Sequence, residues 1–197
     1  MKKILISLIM LAYLTGCSYA DTSSDSTSNS ELVIDQTMDD TNSTAFNGTL
    51  NNFSTTTLEG DKFSNEDFAD YKLTMVDIWQ TSCIVCIDDF PVLNTLYNQL
   101  PDGVNLIGIC CDGSVSSDGA NDILDKYNVK YTNLSDSQEL WDTLLYEITG
   151  TPTTVFVDSQ GNVVGEIIEG VPYVDHDYEL VDIYIEEINN RLEQIEG

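Results

Sequence analysis

TMVDIWQTSCIVCIDDFP, residues 74–91, decides the reading of this chain. A run suited to a strand, Met75 to Trp79, ends four residues before Cys83. Cys86 follows at the third position, and apolar residues then recur at Cys86, Phe90, Leu93, Tyr97 and Leu100, the three- and four-residue spacing of a buried helical stripe. Strand, short connection, Cys-x-x-Cys and helix place a dithiol at a helix N-terminus. There, free backbone N–H groups and the helix dipole favour a thiolate at the first cysteine. The second lies one turn inward, where it can resolve a mixed disulfide. A purely structural disulfide, or half of a four-sulfur metal site completed by Cys110 and Cys111, are the competing uses of such a pair. Adjacent cysteines fit one tetrahedral site poorly, and there is no second Cys-x-x-Cys, so neither a metal nor a cofactor is expected. Pro91 falls inside the helical stripe and predicts a kink.

Outward from this stretch, the remaining elements alternate. Phe53–Leu58 and Lys62–Phe63 predict a hairpin, with Ser64 capping a short helical turn. Val104–Ile109 is a buried strand, residues 112–119 a loop, and residues 121–127 and 137–148 are helices. A strand at 153–157, a turn at 158–162, a returning strand at 163–168 and a helix at 178–195 complete the pattern. It describes one α/β domain over residues 52–197, with a central mixed sheet, helices on both faces and an N-terminal β-hairpin extension.

The N-terminus has a different texture. Residues 1–16 combine Lys2 and Lys3 with a run of about a dozen mostly apolar residues, the plan of a secretory signal rather than a membrane span. The ending Leu14-Thr15-Gly16-Cys17 resembles a bacterial lipobox, which implies lipidation of Cys17 and attachment to the outer face of a membrane. Residues 17–51, rich in Ser, Thr, Asn and Asp, are expected to form a disordered tether. Export removes the cytosolic pool that keeps thiols reduced, so a reduced pair would need its own electron donor.

The chain has 197 residues and a formal net charge of -27. Without residues 1–16, five basic residues face 34 acidic ones, about -29. Such a surface repels nucleic acid and favours a soluble monomer. His176 is the sole histidine, which argues against histidine-based hydrolases and metal enzymes.

The domain resembles the thioredoxin superfamily, in particular the membrane-tethered thiol-disulfide oxidoreductases of bacteria, the ResA/TlpA-like group. The resemblance spans about residues 52–170. It rests on the N-terminal hairpin, Trp79 before Cys83-x-x-Cys86, Pro91, Gly150-Thr151-Pro152-Thr153 before a strand, and the Asp158–Gly161 turn. It implies a thioredoxin-like fold and a cis Thr151–Pro152 bond against the disulfide. It also implies a substrate groove shaped by Trp79, Ser82, Thr151 and Pro152, with Thr151 offering backbone groups to an extended substrate. Asp77 matches the buried acid that moves the proton of the inner cysteine. Burial on a strand should raise its pKa and suit it as a base; a solvated strand tip would leave it idle. The family's partners would be exported thiol or disulfide proteins, apocytochrome c among them, and a membrane electron donor of the CcdA/DsbD-like kind.

Three positions depart from the family pattern: Ser82 in place of an aromatic, Ile84-Val85 without proline before the second cysteine, and Asp88-Asp89 where a base is common. Acids near Cys83 oppose its thiolate, favour the disulfide and point to a reductant. A disulfide-forming oxidase and a non-catalytic binding lipoprotein are the rival readings. The Pro-x-x-x-Thr/Ser-x-x-Cys pattern of thiol peroxidases is missing, since Val76 and Gln80 occupy its first and fifth positions. Cys110 and Cys111 end the next strand, and alternation sends them to opposite faces.

Overall fold

The computed structural model describes residues 48–172 and 177–197. The signal segment, Cys17, most of the expected tether and His176 lie outside the described residues.

Among the described residues, seven strands and four α-helices follow in the order β1 (Ser54–Thr56), β2 (Lys62–Ser64), β3 (Leu73–Trp79), α1 (Ile84–Tyr97), β4 (Val104–Cys110), α2 (Gly113–Tyr127), β5 (Thr132–Ser135), α3 (Gln138–Thr143), β6 (Thr153–Asp158), β7 (Ile168–Glu169) and α4 (Asp177–Glu196). The main sheet has the order β5-β4-β3-β6-β7. β3 runs parallel to β4 and antiparallel to β6, so the sheet is mixed. Every residue of β3 is buried, as a central strand covered on both faces requires.

Alternation along β3 divides the core. Leu73, Met75 and Trp79 join Cys86, Phe90 and Leu93 of α1, Leu124 of α2 and Tyr184 and Ile188 of α4 in one cluster. Val76 and Ile78 join Phe53, Phe68, Leu140 and Val155 in the other. Helices α1, α2 and α4 thus cover one face, and α3 with the N-terminal extension covers the other. This is a thioredoxin-like fold with an added hairpin.

The hairpin β1–β2 docks on β5. The Leu58 amide donates to the Asn133 carbonyl at 2.8 Å, and Thr55 Oγ1 donates to the Ser135 carbonyl at 2.7 Å. Segment and strand together close an edge that would otherwise expose unpaired backbone. Ser64 caps the following 3-10 turn reciprocally with Asp67, whose Oδ2 accepts the Ser64 amide at 2.7 Å.

Four boundaries differ from expectation. The packed unit already includes Leu50, which is fully buried and donates its amide to the Gly161 carbonyl at 2.8 Å. Gly161 permits this approach: its φ is +78°, and a Cβ there would lie 2.4 Å from the Leu50 carbonyl oxygen. Residues 113–119 are helical on either side of a kink at Ser116 (φ -130°, ψ 27°) rather than loop, and Asp136 caps the start of α2 from another segment by accepting the Ser114 amide (2.7 Å) and hydroxyl (3.0 Å). β5 was not anticipated. The returning strand at 163–168 is cut to a bridge at Val163 and the two residues of β7, with Gly165 at φ +73° turning the chain between them.

Candidate active site

The site forms where β3 ends. Its last residue, Trp79, pairs across the ladder with Cys110 of β4, and the Cys111 amide donates to the Trp79 carbonyl at 2.8 Å. The chain then turns through residues 80–82 into α1. Asp112, just past β4, pins that turn: it accepts the Thr81 amide at 3.0 Å and the Thr81 hydroxyl at 2.5 Å. Desolvation works against the Asp112 carboxylate, but these hydrogen bonds, with one from Cys110, hold its pKa below the usual value.

Cys83 is the N-cap residue of α1, and its Sγ accepts the Cys86 amide at 3.2 Å. The two sulfurs form a disulfide of 2.04 Å with the Cα atoms 5.3 Å apart. Cys83 Sγ also lies 3.5 Å from the Thr151 carbonyl oxygen. Thr151–Pro152 is cis, as the resemblance implied, and it delivers the Thr151 carbonyl to the outer sulfur. Cys83 keeps 9% of its surface, Cys86 only 1%, so the first cysteine is the one a partner disulfide can reach. Ser82 is exposed beside it, and Ile84 and Val85 expose 73% and 56% of their surface. The rim of the disulfide is therefore uncharged, with apolar Ile84 and Val85 beside the hydroxyl-bearing Ser82.

Trp79 does not line this rim. It is wholly buried, packs edge-on against Phe90 with centroids 5.1 Å apart, and donates Nε1–H to Asn133 Oδ1 at 2.9 Å. An indole on the inward face of a central strand is a floor under the helix rather than a groove wall, which corrects the expectation placed on it. Asn133, which sequence reasoning missed, is itself buried and tied to the Tyr131 carbonyl at 3.0 Å. Gly108 makes the space for that contact, since a Cβ there would lie 2.0 Å from Asn133 Oδ1.

Asp77 is buried, with 3% of its surface exposed, and its Oδ2 has no hydrogen-bond partner. Burial, reinforced by the nearby charge of Asp89, raises its pKa well above the usual carboxylate range. The expectation of a solvated strand tip is thereby excluded. Asp89 is also buried and turned inward, where Tyr184 Oη donates to its Oδ2 at 3.4 Å, while Asp88 points to solvent. The two acids after the dithiol therefore differ: one belongs to the core and one to the surface.

Cys110 and Cys111 are free thiols near this edge. Cys110 joins the cluster of Cys83 and Cys86, while Cys111 packs against the opposite one, as strand alternation requires. Burial pushes both thiols up. For Cys110 the hydrogen bond to Asp112 adds to this, and for Cys111 the charge of Asp136 does, bringing it to about 12. Neither is a nucleophile at neutral pH.

A disulfide at a helix N-cap, with its outer sulfur accessible and its inner sulfur shielded, is a redox centre suited to thiol-disulfide exchange. No curated protein matches the sequence. Solved structures with the same fold include a secreted Mycobacterium tuberculosis disulfide oxidoreductase homologous to E. coli DsbE. It is 22% identical, with a TM-score of 0.53 and coverage of 71% of this chain and 93% of the other. A thiol:disulfide interchange protein of the thioredoxin family from Chlorobium tepidum is 23% identical, with a TM-score of 0.56 over 72% of this chain and 98% of the other. StoA from Bacillus subtilis is 21% identical, with a TM-score of 0.52 over 66% and 93%. The AhpC/TSA family model matches residues 47–165, from just before Leu50 to Gly165 and across the whole Cys83–Cys86 site, and the chain belongs to that family.

Proposed function

We propose that the protein is an extracytoplasmic thiol-disulfide oxidoreductase that reduces disulfides in exported proteins. The observation that carries this reading is the Cys83–Cys86 disulfide at the start of α1, with Cys83 reachable and set against the Thr151 carbonyl. In the reduced protein, the Cys83 thiolate attacks one sulfur of a substrate disulfide, and the other substrate sulfur leaves as a thiolate. Cys86 then attacks Cys83 Sγ, the Cys83–Cys86 bond re-forms, and the second substrate sulfur departs. Two electrons pass from the dithiol to the substrate. The Thr151 backbone beside Cys83 offers an edge along which an extended substrate segment can lie, and the exposed Ile84 and Val85 favour an apolar neighbour to the attacked cysteine.

The direction of electron flow follows from charge. The chain is strongly acidic, Asp88 is exposed five residues after Cys83, and the first turn of α1 carries no base. Negative potential opposes a thiolate at Cys83 and so favours the disulfide form, which makes the dithiol a reductant. The Lys2-Lys3 start, the apolar run and Cys17 support export and a lipid anchor on the outer face of a bacterial membrane. Electrons would then come from a membrane donor of the CcdA/DsbD-like kind, and apocytochrome c is one substrate to try.

The test is the equilibrium redox potential of the full chain against glutathione and dithiothreitol buffers, with mass mapping of which cysteines cycle. A potential at or below that of thioredoxin, about -270 mV, with reversible cycling confined to Cys83 and Cys86, is expected. A potential near about -120 mV, that of a strong periplasmic oxidant, overturns the reductant assignment. No exchange at all overturns the enzymatic one. Retention of the protein in membranes, lost in Cys17→Ala, tests the anchor.

A further inference from the structure

A cavity of about 400 Å³ opens at the edge of the sheet that carries the disulfide. Ser114, Asp136, Ser137, Gln138, Trp141 and Tyr146 line it. β3, β4 and β5 run parallel, so all three end at that edge. Cys83 follows β3, Ser114 follows β4 and Asp136 follows β5. Two acids tie the three ends together: Asp112 holds Thr81, and Asp136 holds Ser114. Two strand spacings, about 10 Å, separate the ends of β3 and β5.

The lining combines aromatic faces with a carboxylate. The Trp141 and Tyr146 rings meet with centroids 5.2 Å apart at a tilt of 50°. Tyr146 exposes 68% of its surface, which leaves its ring open to a ligand. Trp141 donates Nε1–H to Asp136 Oδ2 at 2.9 Å, and Asp136 also accepts the Ser114 amide at Oδ1 and the Ser114 hydroxyl at Oδ2. One acceptor position therefore remains on Oδ1. All three donors are neutral. The segments that form the cavity and the disulfide edge bring no lysine or arginine of their own, since residues 73–125 and 131–190 contain neither. Aromatic faces attract cations, and a carboxylate beside them adds to the attraction. A neutral ligand would leave the Asp136 charge without a counterion, whereas a guanidinium supplies one.

We propose that this cavity binds an arginine side chain of the protein whose disulfide is reduced, and so selects substrates that carry an arginine near the reacting cysteine. The role rests on the exchange reading above. The guanidinium stacks on the Trp141–Tyr146 pair and donates to the open position on Asp136 Oδ1. Arginine suits the cavity better than lysine, because its planar group stacks and donates at once, while an ammonium is compact and strongly hydrated. An extended segment crosses 10 Å in about three residues, which puts the arginine about three to five residues from the attacked cysteine. The net charge of -27 draws basic partners toward the chain before either contact forms.

The chain has two tryptophans, and Trp79, buried and bound to Asn133, serves as an internal control. The experiment is an NMR titration of the two indole N–H signals in the oxidised full chain, with N-acetyl-arginine amide and with its neutral citrulline analogue. Trp141→Phe assigns the signals. A saturable shift at Trp141 is expected with arginine, with no shift at Trp79 and none with citrulline. No saturable shift with arginine, or an equal one with citrulline, overturns the site. Two peptides then test its use. Each is closed by one disulfide, and they differ only in carrying arginine or citrulline about four residues from one cysteine. The arginine peptide should show a KM about fivefold lower, an advantage that disappears in Tyr146→Ala and persists in Tyr146→Phe. Equal KM values in wild type, or an advantage unchanged in Tyr146→Ala, overturn the proposal. Reduction of neither peptide overturns the exchange reading instead, while the indole titration, which needs no redox step, still decides the site.

Discussion

Two cysteine pairs sit at one edge of one sheet, and their chemistry is opposite. Cys83 and Cys86 are bonded to each other, whereas Cys110 and Cys111 are free. The difference is the company each sulfur keeps. Cys83 Sγ receives an N–H, from the Cys86 amide at 3.2 Å, and a sulfur that accepts at a helix start is favoured as an anion. Cys110 Sγ donates a hydrogen bond to Asp112 Oδ1 at the same distance, 3.2 Å, and a sulfur that donates to a carboxylate is held as a thiol. Strand geometry turns Cys111 to the opposite face from Cys110, toward the charge of Asp136. Reactivity here belongs to backbone direction and nearby charge, not to the residue type.

The sharpest way to break the comparison is to remove the accepting sulfur. Cys83→Ser should drop disulfide reduction to the uncatalysed background in an insulin-reduction assay, and full activity in that variant would dismiss the site. Next in size is the floor under the site. Gly108→Ala drives a Cβ to within 2.0 Å of Asn133 Oδ1, on the strand that ends at Cys110. Asn133 is buried and holds the Trp79 indole, so it has no free space to yield. A loss of about 1–3 kcal/mol is expected from overpacking, measured by urea unfolding of the oxidised protein.

The third effect separates the pairs by the acid beneath one of them. The Asp77 pKa is raised on folding, so above about pH 3.9 the unfolded chain loses this proton while the folded one keeps it. Stability contributed at this position therefore falls as pH rises from that value through the raised folded pKa. Asp77→Asn removes the penalty. The variant should match wild type near pH 4 and become more stable as pH rises, by about 1.4 kcal/mol for each pH unit of displacement. Parallel unfolding curves from pH 4 to pH 8 would contradict the buried acid.

Much of this was legible in residue order. Cys-x-x-Cys after a strand, the helical stripe through Phe90 and Leu93, and the Ser64 cap all have local causes, and the structure has them where spacing puts them. Asp89 was legible in principle: it stands three residues after Cys86 and next to Phe90, beside the stripe. What stayed hidden depends on distant partners. β5 is four residues of Thr-Asn-Leu-Ser, with neither length nor β-branched density, and it exists because β4 and the N-terminal hairpin pair with it. Asn133 within it anchors Trp79, a link across 54 residues that no local pattern announces. The start of α2 is rich in glycine and serine, and the distant Asp136 supplies its cap. Asp112 would be the natural local cap, but it is committed to Thr81.

The smallest expected effect tests the comparison hardest. If nearness to the active edge were enough, Cys110 and Cys111 would share in exchange, since Cys110 pairs directly with Trp79 and lies in the cluster of the disulfide. The hydrogen bond to Asp112 and the burial of both thiols argue the reverse. Cys110→Ala and Cys111→Ser should therefore keep reductase activity within about twofold of wild type, because a thiol held protonated supplies no nucleophile. Alkylation of the native, oxidised protein at pH 7 should leave both thiols largely unlabelled, with labelling at Cys111 rising only as pH approaches about 12 or the fold opens. Rapid labelling of Cys110 at neutral pH would show that donation to Asp112 does not hold its proton. The contrast between an accepting and a donating sulfur would then have to give way to one based on exposure alone.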